Sequence, residues 1–409
     1  MSVDPTKRLQ VLFVWTRPDP GLSASGRDGF IRKLREAVSD ENQTVDHYVI
    51  GRVHHVTGVR KILSLVFVVT QAIFNGRAIQ EVLFSSKREE KRLLESIREV
   101  NPDVIYFDTV RCASLVRAVK KYGNNARLLV DFDDLMSRRY YEHVAHVSRQ
   151  GLQFGYLEKI IGHKLSRVLN RLPISGWVVK REALALERTE VELVSIVDQI
   201  MLASPTEATI LESRIHAGRG SVSFIPQSFR TISPVKTPVT PYRFIFIGSD
   251  AQLQNALVID YLLRIWKDFR PHASLVIFGR QRRYYSAVEH VEFSGYEPEF
   301  ERIYTNTSIV LVPAKLAGGI KTKVLEALAY GVPVVTNEMA VEGLPEQIAH
   351  LEMVVTETQL CDIITHPESY IDRLTASCEQ ARAILSENWG PDAYRQKLYG
   401  AILGQGLNR

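Results

Sequence analysis

The stretch "KLAGGIKTKVLEALAYGVPVV", Lys315 to Val335, reads as a loop, a helix and a strand in succession. Before it, the apolar run from Ser308 to Pro313 has the length and β-branched content of a buried strand. Strand, loop, helix and strand in this order form the repeating unit of α/β folds with parallel sheets. Gly318 and Gly319 let the backbone approach a ligand closely, and the free N–H groups at the helix start favour an anion. Lys321 and Lys323 stand where the helix macrodipole favours negative charge. They oppose the helix, but they suit a bound diphosphate. Glu326 shares a helix face with Lys323, three residues away, while Val324, Leu325 and Leu328 pack the opposite side. A carboxylate there can accept hydrogen bonds from a diol such as a ribose. A surface helix with solvated lysines and Gly331 just past its end fits these residues equally well.

Outward from this stretch the same alternation continues. In the C-terminal half strands are expected at Arg243–Gly248, Ser274–Phe278, Val291–Phe293, Ser308–Pro313 and Pro333–Thr336. Helices are expected at Ala256–Phe269, Glu299–Tyr304, Lys321–Tyr330 and Ala393–Leu403. In the N-terminal half strands are expected at Gln10–Trp15, Thr44–Ile50, Val104–Phe107, Arg127–Val130, Gln199–Ala203 and Val222–Pro226, with helices at Gly29–Val38 and Lys87–Val100 among them. Between the halves, "SFRTISPVKTPVTPY" holds Pro234, Pro238 and Pro241 without periodicity and reads as a linker. At 409 residues the chain exceeds one ordinary core. The expected organisation is an N-terminal domain over 1–230, a linker over 231–241 and a C-terminal domain over 242–390. A last helical segment, 391–409, is expected to pack back on the N-terminal domain. Two such domains place a ligand cleft at the carboxyl ends of both sheets.

The three cysteines, Cys112, Cys361 and Cys378, show no paired or metal-type spacing, which suits a reducing compartment. The first apolar run is far too short for a signal peptide. Net charge is +5, unevenly spread. Residues 1–230 carry 34 Lys and Arg against 26 Asp and Glu, or +8, and the remainder carries 17 against 20, or −3. A basic first half suits phosphate-bearing or membrane-surface partners.

The segments "FIFIGS" followed by Asn255, "SLVIFGR", "VEFSGY", "YTNTSIVLVPAKLAGGIKTKVLEALAYGVPVVTNEMAVEGLP" and the one around Trp389 resemble, in order and spacing, the nucleotide-sugar-binding domain of family-4 (group 1) glycosyltransferases. The likeness is nearest to the bacterial sugar transferases of exopolysaccharide clusters. It implies a GT-B fold, two Rossmann-like doubly wound domains facing across a cleft. It further implies that Lys323 contacts the donor diphosphate, that Glu326 holds the nucleotide ribose, and that Gly318, Gly319, Ile320 and Lys321 line the donor. Gly248 would line the cleft, and Gly279 and Arg280 would sit near the base or diphosphate. Two departures stand out. Many relatives have a glutamate at the place of Gly318, and many have a basic residue just after the glycine of the domain's first strand, where this chain has Ser249 and Asp250.

In the N-terminal half the Gly- and Ser-rich loop "TRPDPGLSASGRDGFIRKL" contains Arg27, which the resemblance places near the transferred sugar. The stretch "LLVDFDDLMSRRY" sets Asp131, Asp133 and Asp134 after a strand, where clustered carboxylates repel one another unless they serve a cation, a base or an Arg. A metal-binding pair, a phosphatase-type nucleophile, and the resembling family's acceptor-side segment are the competing readings. In the last, Asp133 or Asp134 supplies any base, and salt bridging to Arg138 and Arg139 is the plain structural alternative. Glu187, Asp198, Ser204 and Glu207 also fall on family positions, with Ser204 and Glu207 spaced as a capping box.

Residues 159–181 hold six Lys and Arg and no acidic residue, with Ile160, Ile161, Leu165, Val168, Leu169 and Leu172 on one helical face. That pattern suits an anionic membrane surface or an internally packed helix. "RKILSLVFVVTQAIFNGR", residues 60–77, is apolar between basic flanks but too short to span a bilayer.

The resemblance implies a retaining, metal-independent hexosyltransferase with no cofactor beyond a UDP- or GDP-sugar donor. A lipid-linked or polysaccharide acceptor, peripheral membrane association and a place at the cytoplasmic face of the inner membrane are expected, with nucleic acid not among the partners. A nucleotide-sugar epimerase of the same fold and a non-catalytic nucleotide-sugar-binding protein are the alternatives.

Overall fold

The alternating runs become two parallel sheets in a computed structural model of the chain, which describes residues 9–16, 43–50, 59–144, 175–215 and 220–404. The expected helix Gly29–Val38, Arg27 and residues 159–174 of the basic segment lie outside the described residues. The chain divides into two units, Met1–Gln227 with Tyr394–Arg409, and Ser228–Ala393.

In the first unit strands β1 (Leu9–Trp15), β2 (Gln43–Val49), β3 (Val104–Asp108), β4 (Arg127–Asp133), β5 (Gln199–Leu202) and β6 (Ser221–Phe224) form one sheet. Its order is β2-β1-β3-β4-β5-β6 and every pairing is parallel. Parallel strands need helical crossovers that cover both faces, so the central strands read as near-continuous apolar runs. Alternation then divides β1 between two cores. Leu12 and Val14 face one, with Ile105 and Phe107. Leu9, Val11, Phe13 and Trp15 face the other, with Val104 and Tyr106.

The first core is closed by helices α1 (Val59–Phe74), α2 (Ile79–Val82), α3 (Lys87–Val100), α4 (Ala113–Tyr122), α5 (Met136–Val144), α6 (Ser175–Ile196) and α7 (Pro205–Ser213). Local chemistry sets their ends. Ser86 caps α3 by accepting from Glu89 N–H, Glu89 and Glu90 lie in its first turn, and Asn101 leaves it in the left-handed conformation. Ser204 likewise caps α7 from Glu207 N–H, while the Glu207 carboxylate accepts from Leu135 N–H at 3.2 Å.

In the second unit strands β7 (Arg243–Ile247), β8 (Ser274–Phe278), β9 (Val291–Gly295), β10 (Ser308–Val312) and β11 (Val334–Thr336) pair in parallel in the order β11-β10-β7-β8-β9. Helices α8 (Leu253–Phe269), α9 (Phe300–Ile303), α10 (Thr322–Ala329), α11 (Glu338–Val341), α12 (Glu357–Thr365) and α13 (Ile371–Trp389) accompany it. The proline-rich stretch belongs to this unit. Ile232 and Ser233 N–H donate to Ala329 C=O and Lys236 N–H to Gly331 C=O, so it straps the end of α10. The Lys236 ammonium donates to Tyr330 C=O at 2.9 Å and Tyr304 C=O at 3.0 Å, a cation at the favourable end of the helix dipole.

The last helix, α14 (Pro391–Leu403), buries Tyr394, Leu398, Ala401 and Ile402 in the second core of the first unit, against β1 and β3. Burying these side chains against the sheet contributes roughly 1.5–3 kcal/mol for each large apolar one.

Candidate active site

The strand order of the second unit reverses between β7 and β10. Loops leaving such neighbours at their carboxyl ends diverge to opposite faces and open a crevice for ligands. Two loops meet here, Gly248–Gln252 after β7 and Pro313–Lys321 after β10. The second turns through Gly318 at φ +90° and Gly319 at φ +63°, a left-handed path that L side chains avoid. It enters α10 with Lys321 at the cap position, no side-chain cap and no acidic residue in the first turn. Thr322 N–H donates to Ile320 C=O at 3.1 Å and Val324 N–H to Lys321 C=O at 2.9 Å, and no carboxylate of the first turn stands at this positive end of the helix. Lys321 reaches back to donate to Gly318 C=O.

Val324, Leu325, Ala327, Leu328 and Ala329 anchor α10 in the core and leave Lys323 and Glu326 half-buried on its other side. The Lys323 ammonium donates to the Asn255 side-chain carbonyl and lies 4.7 Å from the centroid of the Phe246 ring. Burial pushes its pKa down to about 8, with Glu326 opposing the change and Lys321 adding to it. Asn255 is itself buried at the start of α8 and donates to Ser249 C=O at 2.9 Å. Beside Glu326, Tyr304, Tyr330 and Phe300 form a stacked aromatic group. Burial and the Glu326 charge hold the Tyr304 hydroxyl well above the ordinary tyrosine range.

The two strand-end glycines are required by packing. A Cβ on Gly248 would stand 2.7 Å from the Asn255 side chain, and one on Gly279, at φ +122°, 2.7 Å from Gly248 C=O. Asp250 stands near the place where the resembling family has a basic residue, and its role is to join loops. Its buried carboxylate accepts Arg282 N–H at 2.7 Å and Arg283 N–H at 2.8 Å. Gln281 completes the join, accepting from Asp250 N–H and donating to Gly248 C=O and Gly279 C=O, each at 3.0 Å. Arg280 belongs to the same cluster through its carbonyl, which accepts from Ser249 Oγ at 2.6 Å. Its exposed guanidinium lies 5.4 Å from the Tyr296 ring centroid.

Gly248, Gly279, Lys321, Lys323 and the Gly318–Ile320 turn thus converge on one switch point. Asn255, Asp250 and Gln281 were not given roles by the sequence. Asn255 could have been found from its distance of seven residues after Gly248, the glycine that follows β7. The other two carry no pattern, because a buried polar join between loops has no periodicity.

In the first unit the switch point lies between β1 and β3. There Thr16 Oγ1 donates to the fully buried Asp108 at 2.5 Å. Beside it β4 ends in a bulge, with Asp133 in the left-handed region at φ +66° and its N–H donating to Asp131 Oδ1 at 2.8 Å. Asp131 also accepts from the Tyr106 hydroxyl. Asp134 is buried and salt-bridged to Arg139, whereas Arg138 stands 3.8 Å from Glu207. Among the described residues no group of three His, Cys, Asp or Glu side chains is assembled to hold a metal.

Residues 241–376 match the family described as Glycosyl transferases group 1. A sequence comparison with curated proteins gives no match. Among solved structures the chain is similar to sucrose-phosphate synthase from Thermosynechococcus elongatus, at 13% identity and a TM-score of 0.66, over 98% of this chain and all of that one. It is similar to Anabaena HepE in complex with UDP and glucose, at 12% identity and 0.62, over 97% and 100%. The lipopolysaccharide outer core galactosyltransferase WaaB aligns at 12% identity and 0.54, over 97% and 99%. Residues 241–376 thus match a group 1 glycosyltransferase domain, and the chain that contains them has the GT-B fold.

Proposed function

We propose that the protein transfers a hexose, with retention of anomeric configuration, from a UDP- or GDP-sugar to a lipid-linked or polysaccharide acceptor in bacterial cell-surface glycan assembly. The donor sits on the second unit. The carrying observation is the pre-placed Lys323 cation, held by Asn255 beside a helix N-terminus that has no acidic residue of its own. Charge grows on the departing diphosphate in the transition state, and fixed donors aimed there stabilise it most. Lys323, Lys321, the α10 N–H groups and Arg280 supply them, without a metal in the scheme. Glu326 accepts the ribose hydroxyls, and Gly248, Gly279, Gly318, Gly319 and Ile320 allow close backbone approach. HepE was solved with UDP and glucose, which makes UDP the first nucleotide to test.

The first unit takes the acceptor. Asp133 and Asp134, at the carboxyl end of β4, are the groups assigned to its hydroxyl, and Arg27, which lies outside the described residues, is assigned to the sugar. With Gly318 in place of a carboxylate, sugar choice falls to residues outside the loop. A peripheral position at the cytoplasmic face of the inner membrane brings this unit to a lipid-borne acceptor. Among the described residues no helix is long and apolar enough to cross a membrane.

Incubation with a panel of UDP- and GDP-sugars and a membrane extract tests the reading. Release of free nucleoside diphosphate together with labelled sugar in the lipid or glycan fraction is expected. Nucleotide binding without diphosphate release from any donor would overturn it.

A further inference from the structure

Apolar side chains exposed on the first unit are gathered on two helices. Of its seven exposed large apolar residues among those described, five are on α1 and α6: Phe67, Ile73, Phe74, Trp177 and Leu184. Phe74 is 87% exposed, Phe67 60% and Trp177 57%, values far from those of aromatic rings that find a place in a core. The two helices are neighbours. The Arg181 guanidinium of α6 donates to Ala72 C=O of α1, and Val68 and Ala72 share a buried cluster with Val179 and Ala183.

Periodicity aligns the exposed groups. Phe67 and Phe74, seven apart, lie on one stripe of α1, and Trp177, Lys180, Leu184 and Arg188 form one stripe of α6. Charge on this face is mainly positive. Residues 51–80 contain no acidic residue at all. On α6 as far as Arg188 the two carboxylates are turned elsewhere. Glu182 is buried, accepting from Ile79 and Gln80 N–H, and Glu187 is engaged by Tyr141 and Arg214. The exposed ions are Arg77, Lys180 and Arg188, and Lys159, Lys164, Arg167 and Arg171 stand upstream of α6 in the sequence.

Glu192, one turn beyond Arg188, is half exposed but has both oxygens taken by Arg117. Rings and aliphatic groups interleaved with cations match the apolar and anionic layers of a lipid interface. A second copy of the chain would bring cations against cations, and the core of a protein–protein interface is depleted in lysine. We propose that α1 and α6 form the face by which the first unit docks on an anionic bilayer. Phe67, Phe74 and Trp177 enter the headgroup layer, and Arg77, Lys180 and Arg188 pair with lipid phosphates. The proposal gives a surface to the peripheral membrane reading above and rests on it.

Co-sedimentation with vesicles of phosphatidylcholine carrying about one-third phosphatidylglycerol, compared with phosphatidylcholine alone, tests it. Wild type is expected to bind the anionic vesicles and to leave the neutral ones. The Phe74→Ser/Trp177→Ser variant is expected to bind them roughly tenfold or more weakly. Lys180→Glu/Arg188→Glu is expected to lose at least about fivefold for each cation replaced. UDP-induced thermal stabilisation, unchanged in both variants, controls for folding. Wild-type binding no stronger to anionic than to neutral vesicles, or variants that bind as wild type does, overturns the proposal. So does a wild-type dimer in light scattering that these variants dissociate, which would give the face to a second copy. A wild type that leaves anionic vesicles while still releasing diphosphate sinks the membrane face and keeps the transferase reading, and a wild type that binds them but releases no diphosphate sinks the transferase reading alone.

Discussion

Lys323 and Asn255, 68 residues apart in the chain, are in side-chain hydrogen-bond contact at the switch point between β7 and β10. The helix that follows β10 supplies the cation, and the helix that follows β7 fixes where it points. A lysine in water spreads over many rotamers, and ordering it when a ligand arrives costs affinity. Here one of its three donors is spent on Asn255 and its underside rests on Phe246. The cation is in place before any diphosphate comes.

Lys323→Met should keep the fold, because the aliphatic stem is matched, and lose the charge. Removal of one transition-state donor costs about 10²–10³-fold in kcat. Asn255→Ala leaves the charge but frees the ammonium, and is expected to weaken nucleoside diphosphate binding by about tenfold. In a double-mutant cycle the two losses should not add, because both act through one ammonium. Calorimetric titration with UDP reads this directly, and additive losses would separate Asn255 from Lys323.

The Lys323 pKa of about 8 gives binding a pH dependence. Diphosphate favours the protonated amine, so affinity should fall as pH rises through about 8, by up to about tenfold per unit once the free site is deprotonated. Stability runs the other way. The folded pKa is depressed below the lysine value of 10.5, so this group's contribution to stability is present above 10.5 and lost as pH falls through about 8. Lys323→Met should flatten both dependences. A wild-type affinity constant from pH 7 to 9.5 would contradict the burial that sets the shift.

Gly248 and Gly279 should respond differently to alanine. At Gly248 the new Cβ meets the Asn255 side chain, which can swing away. Gly248→Ala is therefore expected to cost little in Tm and to weaken UDP binding by releasing Lys323. At Gly279 the Cβ meets the Gly248 carbonyl, and φ is +122°. Gly279→Ala is expected to destabilise the second unit by about 1–3 kcal/mol. Thermal melts paired with UDP titration check both, and equal effects on Tm would refute the distinction.

The sequence carried most of the strands and the long helices, because both are written in apolar periodicity. Lys87–Val100 and Ser274–Phe278 stand at their expected bounds, and α10 is one residue shorter at each end. The Lys323–Glu326 face was legible for the same reason. Asp250 and Gln281 were not legible as a join between the loops after β7 and β8, because that depends on the spatial meeting of segments about thirty residues apart. The competition at Asp133 and Asp134 is also geometric. The bulge at β4 turns the backbone through a left-handed residue and sends Asp134 to Arg139, which no spacing rule encodes. Residues 60–77 were readable as apolar and too short to span. That their exposed stripe adjoins that of α6 follows only from the packing of α1.

Helix α6 places two buried carboxylates at the starts of other helices, Glu182 at α2 and Glu190 at α5. Glu190 accepts from Ser137 N–H at 2.9 Å and from the Ser137 hydroxyl. Burial pushes the Glu182 pKa up to about 7 and the Glu190 pKa up to about 8, against an ordinary 4.5. A raised folded pKa means that each contribution is complete below 4.5 and is lost as pH climbs through the folded value. Stability of the first unit should therefore decline between about pH 5 and pH 8, by a few kcal/mol at most for Glu190. Glu190→Gln keeps a carbonyl for Ser137 N–H and removes the titration. Its melting temperature should approach that of wild type at pH 5 and exceed it by several degrees at pH 8.5. A difference in Tm between variant and wild type that does not change with pH would show that the Glu190 cap is ionised throughout, its charge carried by Arg214 at 3.8 Å and the α5 N-terminus.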